Sequence, residues 1–169
     1  MCSVFFVKLE STCGGIGIDI VRLTLYTDYS LRVLLFLAAK PEETVTITEI
    51  ADFHKISRNH LVKVVHNLGI LGFIITSRGK HGGIRLARPA EQISISEVVR
   101  KTEPDMDLLE CFNAKTDNCA ISRTCRLKSM IFDGRTAFLD VLDRYTLADA
   151  AKPSASSKPV YVNISQLKR

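Results

Sequence analysis

Between Leu25 and Ala39 apolar residues return on one face, at Leu31, Leu34, Leu35 and Ala38. Steps of three and four are the period of an amphipathic helix. Thr27 or Asp28 offers an N-terminal cap, and Lys40-Pro41 ends the helix, because a residue before proline is driven out of the helical region. Thr46–Phe53 predicts a second, short helix, with Thr46 as N-cap and Glu49 three residues later, the pattern of a capping box. Ser57 then heads a third helix, Arg58–Leu71, which stops at Gly72. Leu61, Val64, Val65, Leu68 and Leu71 form its apolar stripe. Arg58, Asn59, His60, Lys63, His66 and Asn67 fall largely outside that stripe.

After Gly72 the period shortens. Phe73–Thr76 and Ile84–Ala87 predict two strands, joined by the glycine-rich tip Ser77-Arg78-Gly79-Lys80-His81-Gly82-Gly83. Two helices, a capped helix and a basic hairpin, in that order, make a winged helix-turn-helix. Ile95–Lys101 predicts a fourth helix after Ser94. From Arg126 to Tyr145 a long helix places Leu127, Ile131, Gly134, Phe138, Val141 and Tyr145 at steps of 4, 3, 4, 3 and 4, a heptad seam suited to pairing with another helix. The expected fold is mainly α with a small β-hairpin. It comprises a winged helix-turn-helix DNA-binding domain at 21–103, a cysteine loop at 104–125 and a dimerisation helix at 126–150. Residues 151–169 are rich in Pro, Ser and Lys and read as a flexible tail.

Residues 1–20 follow no period. They read as a poorly ordered arm or, preferably, as upstream sequence from a mis-assigned start, with Val21 encoded by a GTG start codon. The apolar run Val4–Val7 is broken by Lys8 and has no small-residue cleavage site after it, so it does not read as a signal peptide. No stretch approaches the roughly 18 apolar residues of a membrane span. The chain is expected to be cytoplasmic, with its thiols reduced. It has no glycine-rich dinucleotide loop, no phosphate-binding loop and no Ser/His/Asp set in a plausible frame, and is not expected to be an enzyme.

Charge changes the picture more than size does. The 169 residues are 46% hydrophobic, enough for a real core, and carry a net charge of +5, which favours an anionic partner. The charge is uneven. Between Asp52 and Glu91 there is no Asp or Glu, while that interval holds Lys55, Arg58, Lys63, Arg78, Lys80, Arg85, Arg88 and all four histidines. Contacts from such residues to phosphates supply most non-specific DNA affinity through counterion release. Sequence choice needs side chains that reach base edges from a helix in the major groove. Arg58, Asn59 and His60, in the first turn of the third helix, are placed for bases. Lys63 and His66 are placed for phosphates, and Arg78, Lys80 and His81 on the wing tip for an adjacent minor groove. A merely solvated basic face is the alternative, and the helix order, the missing acids and the wing outweigh it. Metal ligation by the histidines is disfavoured, because His60 and His66 lie six apart rather than four.

Five cysteines divide into two sets. Cys2 and Cys13 lie in the doubtful first twenty residues and are expected to be unligated. Cys111, Cys119 and Cys125 read C-x7-C-x5-C. Structural zinc sites use tighter pairs, whereas iron–sulfur clusters accept wider and more varied thiolate spacing. Three thiols leave one iron ligand to come from a carboxylate, a small molecule or another subunit. On the residues alone a cluster is preferred, and zinc and free or redox-pairing thiols stay open.

From about Arg22 to Ala150 the chain resembles the Rrf2 family of bacterial iron–sulfur transcription regulators. The likeness rests on Leu23-Thr24, Thr27-Asp28-Tyr29-Ser30-Leu31-Arg32, Ile50-Ala51, Arg78-Gly79-Lys80-His81-Gly82-Gly83-Ile84-Arg85-Leu86, the three cysteines, and Tyr145-Thr146-Leu147-Ala148-Asp149. Ser57–Lys63 and Cys125–Lys128 are similar to the nitric-oxide-sensing repressors of that family. The resemblance implies a homodimer with one cluster per subunit, 4Fe-4S or 2Fe-2S, that represses from a palindromic operator in double-stranded DNA. It implies further that nitric oxide nitrosylates the iron and that the DNA is then released. It implies that Asp28 from the partner subunit is the fourth ligand, a residue that the pattern alone reads as a helix cap. The family's iron-responsive repressors share the cysteine spacing and are the alternative, as is a cofactor-free winged-helix repressor that senses oxidants through its thiols. The cluster-biogenesis branch has His three residues after the third cysteine, where this chain has Lys128.

Overall fold

A computed structural model describes residues 22–77, 79 and 82–152. The expectations for residues 1–20, with Cys2 and Cys13, for the wing-tip residues Arg78, Lys80 and His81, and for residues 153–169 lie outside them. The described elements are α1 (Leu25–Ala38), α2 (Ile47–His54), α3 (Arg58–Ile70), β1 (Ile74–Ser77), β2 (Gly83–Leu86), α4 (Ile95–Thr102), α5 (Arg126–Asp143) and α6 (Leu147–Ala151). The strands form one antiparallel hairpin in which Ile74 faces Leu86. The architecture is the expected one, mainly α with a small β-hairpin.

Helix α1 runs through the middle of the core. Val33, Leu34, Phe36 and Leu37 are buried and join Ile50 and Ala51 of α2, Leu61, Val64, Val65 and Leu68 of α3, Phe73, Ile74, Ile84, Ile93 and Val98 in one cluster. The apolar period of α3 therefore points inward as its sequence predicts, and the polar remainder points out.

The helix ends show which local signals operate. Thr46 and Glu49 form the capping box: the Thr46 amide donates to the Glu49 carboxylate at 2.7 Å and the Glu49 amide to the Thr46 hydroxyl at 3.2 Å. Lys55 takes a left-handed conformation (φ 54°) and turns the chain from α2 into α3. Ser57 stands at the N-cap of α3, but its hydroxyl makes no capping bond. At the other end of α3 the Phe73 amide reaches back to the Leu68 carbonyl (3.0 Å) with Gly72 at φ 76°. That closure needs a residue tolerant of positive φ. The α1 cap differs from expectation. Thr24, not Thr27 or Asp28, is the N-cap and accepts from the Thr27 amide. The Thr27 hydroxyl is buried and meets the Thr102 hydroxyl at 3.0 Å.

The strands are each displaced by one residue from Phe73–Thr76 and Ile84–Ala87. Ile84 also bridges to Val45 in the α1–α2 connection, with N···O distances of 2.8 and 3.0 Å. A Cβ on Gly83 would lie 3.0 Å from the Val45 carbonyl oxygen, so glycine lets the wing strand approach this closely.

The predicted helix from Arg126 to Tyr145, within a dimerisation element at 126–150, is corrected. α5 ends at Asp143, with Arg144 as its C-cap. Thr146 and Asp149 then form a second capping box that starts α6. The Ile95 amide donates to the Tyr145 carbonyl (3.0 Å) and the Leu147 amide to the Ile93 carbonyl (2.8 Å). Leu147 is fully buried in the winged-domain core, and α6 packs on α1. Residues 144–151 thus pack into the core around α1. Emptying that site by Leu147→Ala is expected to cost about 2–5 kcal/mol of unfolding free energy. Urea denaturation checks this, and an unchanged midpoint would remove α6 from the core.

The rest of α5 is different. Only Leu139 is buried, whereas Leu127, Met130, Phe138 and Val141 are each more than 40% exposed. One chain leaves this apolar flank uncovered, as a pairing helix requires.

Candidate nucleic-acid interface and metal centre

Helix α3 buries one stripe and exposes Arg58, Asn59, His60, Lys63 and His66. All five predicted positions on this helix are thus on its outer face. No acid occupies its first turn, so the positive end of the helix meets no compensating carboxylate there. The His60 ring stacks against that of Tyr29 on α1, 6.3 Å between centroids and inclined by 28°. Sequence reasoning missed Val62, which is 40% exposed among these polar residues. Its signal was an apolar residue off the apolar stripe, a type suited to a thymine methyl group in a major groove.

The acid-free interval is not uniformly available to DNA. Arg88 is ion-paired to Glu97 at 2.6 Å and lies over the Phe73 ring. His54 is packed between Phe36 and Phe53. Burial, and then the Arg32 cation, hold its pKa below the ordinary imidazole value. Both residues support the fold, whereas Lys55 and Arg85 are exposed.

The cysteine loop leaves α4 at Glu103. The Thr24 amide and hydroxyl both donate to the Glu103 carboxylate, at 2.8 and 3.1 Å, across 79 positions of sequence. The start of the loop is therefore bonded to the start of α1. Cys111 lies in a short 3-10 turn, Glu110–Phe112. The Cys119 amide donates to Asp117 at 3.1 Å. Asp117 also accepts from the Ser122 hydroxyl. That bond above all, against a smaller opposing effect of burial and with help from the Cys119 amide and the Lys128 ammonium, holds the Asp117 carboxyl below the usual carboxylate range. Cys125 is the N-cap of α5, and its sulfur accepts from the Lys128 amide at 3.4 Å.

All three thiols are free, and none belongs to the core. Cys119 is exposed, and Cys111 and Cys125 are half-buried. The donors suit an iron–sulfur cluster in kind: three unpaired thiols on one loop, one of them at the positive end of a helix, where anionic ligands are favoured. They are not preassembled. Among the described residues no three of His, Cys, Asp and Glu converge closely enough to hold a metal ion. Asp28 sits in the first turn of α1, on the surface, paired with Arg32 at 2.8 Å. Within one chain it is not brought to the cysteines. Closing such a site thus needs movement of the loop and a donor from elsewhere.

Among the described residues no helix is long and apolar enough to cross a membrane. The chain is 53% identical over 130 residues to the HTH-type transcriptional regulator NsrR of Bacillus licheniformis, covering 76% of this chain and 91% of that protein. Its identity to the NsrR of Bacillus subtilis is also 53%, over 133 residues, 78% of this chain and 91% of the relative. The fold is similar to that of CymR, the global cysteine regulator of B. subtilis, with a TM-score of 0.63 at 24% identity over 78% of this chain and 97% of that one. It is similar also to the oxidized form of Staphylococcus aureus CymR, with a TM-score of 0.63 at 27% identity over 79% and 98%. These relatives are transcriptional regulators, not enzymes. The Rrf2 model, described as an iron-dependent transcriptional regulator, matches residues 23–153, and the chain belongs to the Rrf2 family of DNA-binding transcriptional regulators.

Proposed function

We propose that the protein is a cytoplasmic, homodimeric repressor that binds palindromic operator DNA and releases it in response to nitric oxide. The proposed DNA contacts are Arg58, Asn59, His60, Lys63 and His66 of α3, with Arg78, Lys80 and His81 at the wing tip. Cys111, Cys119 and Cys125, with Asp28 of the partner subunit, would hold one iron–sulfur cluster per subunit. A cluster held by three thiolates and one weaker carboxylate supplies iron that is open to nitric oxide. The observation that carries this reading is the bond between the two functional parts of one chain. The three-thiol loop starts at Glu103, whose carboxylate caps α1 through Thr24, and α1 packs on α3.

The residues suggest how the signal travels. Drawing Asp28 towards a partner's cysteine loop competes with its ion pair to Arg32. It also sets where α1, and with it α3, lies relative to the other subunit. Two recognition helices must present themselves roughly 34–36 Å apart to fit adjacent half-sites. A small rotation forfeits one half-site and the avidity that simultaneous docking supplies.

A second reading, a cofactor-free thiol switch, is favoured by the exposure of Cys119 and by the likeness to CymR, solved in an oxidized form. Anaerobic purification separates the two. The cluster reading expects a brown protein containing iron and acid-labile sulfide. A colourless protein that binds operator with full affinity would establish the thiol reading in its place.

A further inference from the structure

We propose that Lys128 and Arg135 are the positioning residues of the cysteine loop, two cations of α5 that hold its two arms. They are seven residues apart, two turns along one face of the helix. Lys128 holds the second arm. Its ammonium lies 2.8 Å from the Ser122 hydroxyl and 3.6 Å from the Asp117 carboxylate. That carboxylate accepts the Cys119 amide, and the Lys128 amide donates to the Cys125 sulfur. One residue thereby reaches Cys125 directly and Cys119 through Asp117.

Arg135 holds the first arm. Its guanidinium lies 5.0 Å from the centroid of Phe112, the residue after Cys111, and 4.6 Å from that of Phe132 on its own helix. It also donates to the Met106 carbonyl at 3.4 Å and faces the Asp107 carboxylate at 3.8 Å. The side chains of these ion pairs are only 19–32% exposed. Screening by water is therefore weaker than for a surface pair. The remaining side-chain bonds of the loop stay within it, from turns such as Lys115 to Asn113 and Asp107 to Asp105 to the bonds of Thr116 and Asn118 to Glu110. Such bonds shape the chain locally without fixing it to a helix. The polar attachment of the loop to α5 therefore falls to these two side chains, beside the edge contact of the Phe112 ring with that of Phe132, 6.1 Å between centroids.

The attachment itself does not depend on a cofactor. Its use in holding a cluster rests on the function proposed above, and the test keeps the two apart. In metal-free protein, K128M is expected to speed amide hydrogen exchange at least threefold in residues 117–125 and leave 106–113 unchanged. R135M is expected to do the reverse, with D117N and D107N reproducing the two patterns. K128R restores the wild-type rates, which a general loss of stability would not allow. Uniform changes in both arms, or none in either, overturn the proposal. In anaerobically loaded protein the visible circular dichroism, which reports the arrangement of the thiolates, shifts in K128M and returns in K128R. A chain that shows the exchange pattern but takes up no iron and sulfide retains the attachment and refutes the cluster.

Discussion

Replacing Cys111, Cys119 and Cys125 together by alanine is expected to leave the unfolding midpoint near wild type while abolishing iron binding and lowering operator affinity at least tenfold. The stability half follows from position. None of the three thiols lies in the core or in a disulfide. Replacing Cys111 and Cys119 costs within about 0.5 kcal/mol each. Replacing Cys125, whose long sulfur contact caps α5, costs about 0.5 kcal/mol, the low end for a lost cap. The binding half follows from symmetry. If the loop sets the separation of two recognition helices, its release costs one of two half-sites, and a tenfold loss corresponds to about 1.4 kcal/mol. Fluorescence anisotropy against loaded wild type, at one fixed salt concentration, reads the effect. Equal affinity of the triple variant and the loaded protein would disconnect the cysteines from DNA binding.

Asn59→Ala should weaken binding to the preferred half-site by about 1–3 kcal/mol, roughly 5- to 150-fold, and relax the choice of base at one position. Asn59 is exposed on the outer face of α3, and a side-chain amide pairs with the donor and acceptor edge of adenine. Non-specific affinity should be unchanged, because no phosphate contact is lost. Lys63→Ala should do the opposite. It weakens all sequences alike and lowers the slope of log affinity against log salt by about 1. Competition binding with single-base variants of the half-site separates the two. If Asn59→Ala weakened every sequence equally, α3 would be gripping backbone rather than reading bases.

Local signals in the sequence were the legible ones. The capping box at Thr46 and Glu49 sets the start of α2, and the period through Leu61, Val64, Val65 and Leu68 orients α3. Those two facts place every predicted α3 contact on the exposed face. What was missed depends on distant partners. Glu103 finishes the α1 cap from 79 residues away. Because the apolar period of α1 becomes clear only at Leu31, the sequence pattern places the cap a turn too late. The break after Asp143 was readable in Thr146 and Asp149, but the heptad spacing through Tyr145 runs across it. Only the packing of Leu147 against α1 shows which pattern wins. Lys128 and Arg135 carried no signal of their own, because a cation on an exposed helix face is ordinary until Asp117, Phe112 and Asp107 fold onto it.

The site is half legible for the same reason. Spacing singles out three cysteines, and the structure shows them free on one loop. In the proposed function their convergence belongs to the dimer and the bound state, which neither the spacing nor a single chain contains. The uncovered apolar flank of α5 is the physical counterpart of that incompleteness.

The most direct test of the account is an anaerobic titration of the purified protein with nitric oxide, following visible absorbance and operator binding in the same samples. The account predicts that the absorbance changes and the DNA is released together, over the same range of added nitric oxide. Operator binding that persists while the absorbance changes, or that is lost with no absorbance to change, would contradict it.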